Sequence, residues 1–188
     1  MNLKKKYVFS IAFLLSLSSC FLWKDDELEY LKVIDKEAKP SWMKGGKCDV
    51  GICSIGISPK GEFGFGFQVK EAELIGRQNI IAKIKSTILV SLREKVTVAG
   101  ISSISFEKLV DDYVSNFDLL SIKRDGVYVD DNGAVYINMK LREDGLRNVL
   151  DVFRNMFVKY LKKHRISEEN SKNLLMIVDK LQEELIRK

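Results

Sequence analysis

The spacing of apolar residues changes character several times along this chain. Between Ile52 and Ser58 it has period two, Ile52, Ser54, Gly56 and Ser58 alternating with Cys53, Ile55 and Ile57, which predicts a strand with one apolar face. Pro59 to Gly66 carries the Gly and Pro of a loop. From Phe67 to Val98, Leu74, Ile75, Ile81, Ala82, Ile84, Ile88, Leu89 and Leu92 recur at spacings of three, four and seven, predicting one long amphipathic helix. Glu73 and Arg77 stand four apart in the favourable order and support its wet face. A shorter helix follows, with Ser105 as N-cap, Glu107 in the first turn, and Leu109, Val110, Tyr113, Val114 and Phe117 on one side.

Period two then returns over Leu120 to Asp130 and Ala134 to Leu141, and Asp130, Asp131, Asn132 and Gly133 supply a hairpin turn between them. A two-stranded hairpin is not stable alone, so the segments predict a small antiparallel three-stranded sheet packed by the long helix. After Asp144 and Gly145, the run Leu146, Val149, Leu150, Phe153, Met156, Phe157, Tyr160 and Leu161 forms a broad helical stripe. Ser167 caps a last helix with Glu168 and Glu169 at its positive end and Leu174, Ile177, Val178, Leu181 and Leu185 on its face. The short connector Lys162 to Ile166 makes these two an antiparallel hairpin, burying its stripes against each other or the sheet. The alternative use of the stripes is self-association into a homo-oligomer. The fold class is α+β.

The N-terminus changes the picture from fold to location. Lys4, Lys5 and Lys6 precede an apolar run from Tyr7 to Leu17, followed by Ser18, Ser19 and Cys20. This is a secretory signal, and its apolar run of 11 residues is too short for a permanent span, which needs roughly 20. Leu17-Ser18-Ser19-Cys20 resembles the bacterial lipobox, in which the Cys sulfur takes a diacylglycerol before the preceding peptide is removed. Buried acyl chains, at about 0.8 kcal/mol per CH₂, would then hold the protein on a bilayer. The expected organisation is a signal peptide over 1–19, lipidated Cys20 and a charged tether over 20–39, an α+β domain over 40–142 and a helical hairpin over 143–188.

Composition fits this division. The 188 residues are 46% hydrophobic and 30% charged, with only 2 Pro, enough apolar material for a core and no low-complexity tract. Loss of residues 1–19 removes three Lys and no acid, taking the net charge from +5 to +2. The remaining charges are mixed throughout, so a nucleic-acid partner is not expected.

Catalytic and metal-binding chemistry is thin. Cys48 and Cys53 have four residues between them and are expected to pair in an oxidising compartment, with two free thiols as the alternative. Zinc normally takes four ligands and no His lies nearby. The single His, His164, sits among Lys162, Lys163 and Arg165 and reads as solvated rather than as a base or ligand. Gly61, Gly64 and Gly66 lack the dinucleotide spacing, and Asp130 and Asp131 lack the ligand pattern of a calcium loop. No cofactor and no metal are expected. Trp42, Phe63 and Phe65 are candidates for a partner-binding patch, because Phe63, Phe65 and Phe67 share one side if the segment is extended; the competing reading roofs the core with them.

These features, in order, resemble one family. Cys20 after a signal peptide, Lys39-Pro40-Ser41-Trp42, a strand with small residues around Gly56, a long helix through Glu71-Ala72-Glu73, Arg77 and Ala82, and the late hairpin Val127-Tyr128-Val129 to Val135-Tyr136-Ile137 look like the LPP-twenty family of small bacterial outer-membrane lipoproteins, which has a flagellar lipoprotein among its relatives. The likeness covers about residues 39 to 142. It implies a strand-helix-strand-strand core, no enzymatic activity, and structural or assembly work at the envelope. The larger and more charged start of the long helix, the Cys48/Cys53 insertion and the C-terminal helices depart from that pattern.

The function expected is therefore non-enzymatic: a bacterial lipoprotein that scaffolds or binds a protein partner in the cell envelope. Phe21 after the Cys is not an inner-membrane retention Asp, which favours the outer membrane, on its periplasmic face or at the cell surface. The alternative is an envelope ligand-binding module with an apolar pocket between sheet and helices.

Overall fold

A computed structural model describes residues 39–44, 48, 50–115, 117 and 121–187. Cys20 and all but the last residue of the tether lie outside them. A 3-10 turn at Ser41–Lys44 leads to strand β1 (Ile52–Ser58), helices α1 (Phe65–Val98) and α2 (Ser103–Ser115), strands β2 (Ile122–Val129) and β3 (Val135–Leu141), and helices α3 (Glu143–Lys163) and α4 (Glu168–Arg187). The strands form one antiparallel sheet in the order β1-β3-β2. The protein is α+β, with the long helix on the sheet.

Several boundaries move for local reasons. The helix starts at Phe65, so the loop ends at Gly64 and the three phenylalanines do not lie along an extended segment. Helix α2 starts before Ser105, the Ser102 carbonyl accepting from Phe106 N–H at 3.0 Å. β2 is shorter than expected because Asp130 belongs to the turn, where its Oδ1 accepts from the backbone N–H of Asn132 and Ala134. Helix α3 takes in Asp144 and Gly145, with its acids Glu143 and Asp144 at the positive end of the helix dipole. Ser167 does cap α4, its Oγ accepting from Asn170 N–H at 3.3 Å.

The face of β1 that meets α1 is not its apolar one. Ser54, Gly56 and Ser58 are buried, while Ile57 is 46% exposed on the other face. The cause is a backbone contact: a Cβ on Gly56 would lie 1.7 Å from the Ala72 carbonyl oxygen and 2.6 Å from Gly76 N. Small residues let helix and strand touch, and larger side chains there would separate them. β3 supplies the bulk instead, with Val135, Ile137, Met139 and Leu141 fully buried.

The helix also outruns the sheet. Its 34 residues span about 51 Å, against about 24 Å for the seven-residue β1. The buried residues Gln68, Ala72, Gly76, Ile80, Ile84, Ile88, Leu92 and Val96 follow one another at strict intervals of four. Four residues turn 40° more than a full revolution, so this row winds about 280° around α1. Its first half faces the sheet and its second half faces other helices. The predicted single stripe is corrected accordingly: Leu74 is half exposed and Ala82 exposed.

Four helices meet below the sheet. Lys85 pairs with Asp111 and Arg93 with Glu107 between α1 and α2. Phe106 packs on Phe157 and Tyr113 on Phe153 between α2 and α3. Arg154 pairs with Asp179 between α3 and α4, and α4 returns beside α1. The pairings are antiparallel, giving an up-down-up-down bundle made of the lower half of α1 with α2, α3 and α4. One hydrophobic cluster runs from Ile52 to Leu181 through sheet and bundle.

Candidate interaction surface

The end of the sheet that carries the hairpin turn is built from polar ties around an exposed aromatic pair. Gln68, in the first turn of α1, is buried and donates from Nε2 to the carbonyls of Pro59 at 2.8 Å and Gly133 at 3.1 Å. One side chain thus holds the β1–α1 loop, the hairpin turn and the helix start together. Ser58 Oγ donates to Glu71 Oε2 beside it. The Lys60 stem lies over Gly133. Asp130 also accepts from Tyr136 Oη at 3.2 Å; burial first, then the Asp130 charge and this hydrogen bond, push the Tyr136 pKa above the usual tyrosine value.

On this base the aromatic candidates separate. Phe65 is half buried and packs against the core. Phe63 and Phe67, four residues apart, turn outward with ring centroids 5.2 Å apart and exposures of 80% and 51%. Leu74 continues their side of α1 one heptad on, at 50% exposure. Trp42 belongs to a different place, its indole lying across Gly126 of β2; a Cβ there would be 2.9 Å from Nε1. The structure therefore does not bring Trp42, Phe63 and Phe65 into one patch. The exposed group is Phe63, Phe67 and Leu74. The sequence signal for it was the i, i+4, i+11 spacing of Phe63, Phe67 and Leu74, legible only once the helix is known to begin at Phe65.

Cys48 and Cys53 are joined in a disulfide, Cys53 buried on β1. Along the open edge of β1 the Ile55 carbonyl accepts from Asn79 Nδ2 at 3.2 Å and the Cys53 carbonyl from Lys83 Nζ at 2.6 Å. These two residues, one helical turn apart, cover the edge of a strand that pairs on one side only. Beside them runs an open cleft of about 730 Å³ between the disulfide, Ser86, Thr87 and Leu185. A smaller cleft of about 550 Å³ at the start of α3 is lined by Val50, Lys140, Arg142, Asp144 and the Glu143–Arg147 pair. Neither Asn79 nor Lys83 stands out in the sequence, since their role depends on which strand of the sheet is terminal.

Glu73 does more than decorate the wet face of α1. Its Oε1 takes Arg124 of β2 at 3.0 Å while Arg77 stands 4.0 Å from Oε2, so the carboxylate links helix to sheet. His164, exposed at the α3–α4 connector, meets the Tyr160 ring at a tilt of 42° with ring centroids 4.3 Å apart. Among the described residues no group of three or more His, Cys, Asp or Glu could hold a metal ion, and no helix is long and apolar enough to cross a membrane. No protein-family model and no curated protein matches the chain.

Proposed function

We propose that this protein is a bacterial lipoprotein, held on the cell envelope by acyl chains on Cys20, whose folded body performs structural or assembly work by binding an envelope partner. The observation that carries the reading is the ordered run of Lys4 to Lys6, the apolar Tyr7–Leu17, Ser18, Ser19 and Cys20. Anchoring confines the body to a thin layer above the membrane, so a modest surface suffices for a partner. The succession of strand, long helix and two strands supports kinship with the LPP-twenty family; helix α2 and the pair α3 and α4 are additions to that pattern. Outer-membrane placement rests on Phe21 following the Cys. The ligand-binding alternative needs an enclosed apolar pocket between the sheet and the helices; the backbone contact at Gly56 and Gly76 fills one stretch of that interface, and the cleft of about 730 Å³ beside the disulfide is open.

Mass spectrometry of the protein from its cell membranes is expected to show the chain beginning at Cys20 with a diacylglyceryl group on sulfur. A Cys20→Ala variant should leave the membrane fraction and lose crosslinks to its envelope partner. An intact N-terminus with a free thiol would sink the reading.

A further inference from the structure

We infer that Phe63, Phe67 and Leu74 form a second, non-covalent membrane contact, through which the folded body lies against the bilayer that the acyl chains enter; this rests on the lipoprotein reading above. Phe63 is among the most exposed large apolar residues described, and the half-exposed Phe67 and Leu74 follow it along one side of the start of α1, with the two rings in contact. Gln68 ties the loop to the hairpin turn, and Phe65 buries the turn of helix between them. Exposed apolar groups on one side of a helix start gain nothing from the aqueous phase, and they gain from the interfacial zone of a membrane.

The chain between anchor and body allows the contact. Residues 20–38 number nineteen, and fully extended they reach about 65 Å, more than the length of α1. The acyl chains therefore raise the effective concentration of bilayer around the patch without fixing which face meets it, and a weak apolar contact is enough to choose. The charges beside the patch are exposed and mixed, Lys60 and Lys70 with Glu62. They suit zwitterionic headgroups, into which lysine stems can reach while their ammonium groups stay at the phosphate level. Insertion by this surface should accordingly persist at 0.5 M salt, where an electrostatic attachment is screened (Debye length on the order of 4 Å).

The test uses the acylated full-length protein carrying Phe63→Trp together with Trp23→Phe, because Trp23 stands three residues from the acylated Cys20 and would be quenched regardless, reconstituted in vesicles of phosphatidylethanolamine and phosphatidylglycerol at three to one, with and without brominated acyl chains. Relative to the protein carrying Trp23→Phe alone, fluorescence with the indole at position 63 should be quenched at least twofold more by the brominated lipid, in low and in 0.5 M salt alike. Phe67→Ser with Leu74→Ser in the same background should abolish the extra quenching while leaving the melting temperature within a few degrees. Equal quenching with and without those substitutions, or quenching lost in 0.5 M salt, overturns the inference. So does protection of position 63 without lipid that disappears together with a dimer in sedimentation, because the patch would then be meeting a second copy. The mass at Cys20, read on the same sample, separates the two claims: acylated protein without quenching removes the membrane contact alone, and an unacylated Cys20 removes the reading beneath it.

Discussion

The two halves of α1 are buried by opposite means. Against the sheet, the helix subtracts side chains: Ala72 and Gly76 meet Gly56 of β1, and polar hooks from Gln68, Asn79 and Lys83 finish the contact on backbone carbonyls. Against the bundle, it adds them, with Ile80, Ile84, Ile88, Leu92 and Val96 all completely buried. A strand presents a flat backbone that a helix can approach when both lack side chains at the crossing. Another helix presents ridges, which must be filled by interdigitating side chains at 8–10 Å between axes. The lesson is that a helix of this length needs no kink to serve both layers, because a row with a four-residue repeat rotates its buried face as it goes.

The sharpest way to break the comparison is at its tightest point. Gly56→Ala places a methyl group inside the Ala72 carbonyl, and no rotamer change relieves a clash between two backbones. We expect a loss of about 4 kcal/mol or more, the upper end for overpacking, read as the shift of a denaturant midpoint; a loss under about 1 kcal/mol would show that helix and sheet can slide apart freely. In the bundle the corresponding injury is a cavity. Phe153→Ala removes the ring between Tyr113 and Phe157 and should cost about 3–4 kcal/mol. Because both halves hang on one helix and one core, each variant should still unfold in a single transition seen alike by far-UV circular dichroism and tryptophan fluorescence.

A smaller effect sharpens the bundle side. Tyr113 Oη donates to the Val149 carbonyl at 2.5 Å, and burial raises the pKa of this phenol well above the ordinary 10. The raised value means that the unfolded chain ionises first. The contribution of Tyr113 is thus whole below pH 10 and declines as pH climbs above it. Tyr113→Phe should cost about 1–2 kcal/mol at neutral pH and flatten the fall in stability above pH 10, as followed by urea unfolding at pH 8, 10 and 11.

The smallest expected effect concerns two helix ends with the same closure. After α1, Ile101 N–H returns to the Val96 carbonyl at 2.9 Å, with Gly100 at φ 90° between; after α3, Ile166 N–H returns to the Leu161 carbonyl at 3.2 Å, with Arg165 at φ 55°. Glycine adopts that left-handed conformation without a Cβ penalty and arginine does not. Arg165→Gly should therefore stabilise the protein by about 0.5–1 kcal/mol, raising the melting temperature by a few degrees. No gain, or a loss, would mean that the arginine side chain contributes something at the connector which outweighs its backbone strain.

From the sequence alone came the period-two segments, the helical stripes and the turn chemistry of Asp130 to Gly133, hence the element order and the α+β class, because those signals are local and repeat along the chain. The resemblance of Leu17-Ser18-Ser19-Cys20 to a lipobox is equally local and needs no fold to be read. Tertiary structure alone decided which face of β1 is inward, since a helix can press on Ser54, Gly56 and Ser58 only after it has found them. It decided that Phe65 parts company with Phe63 and Phe67, because the side a ring takes depends on where the helix begins. It also made Asn79 and Lys83 edge covers and Glu73 a link to Arg124, because long-range partners are set by which elements end up side by side, and no local spacing encodes that.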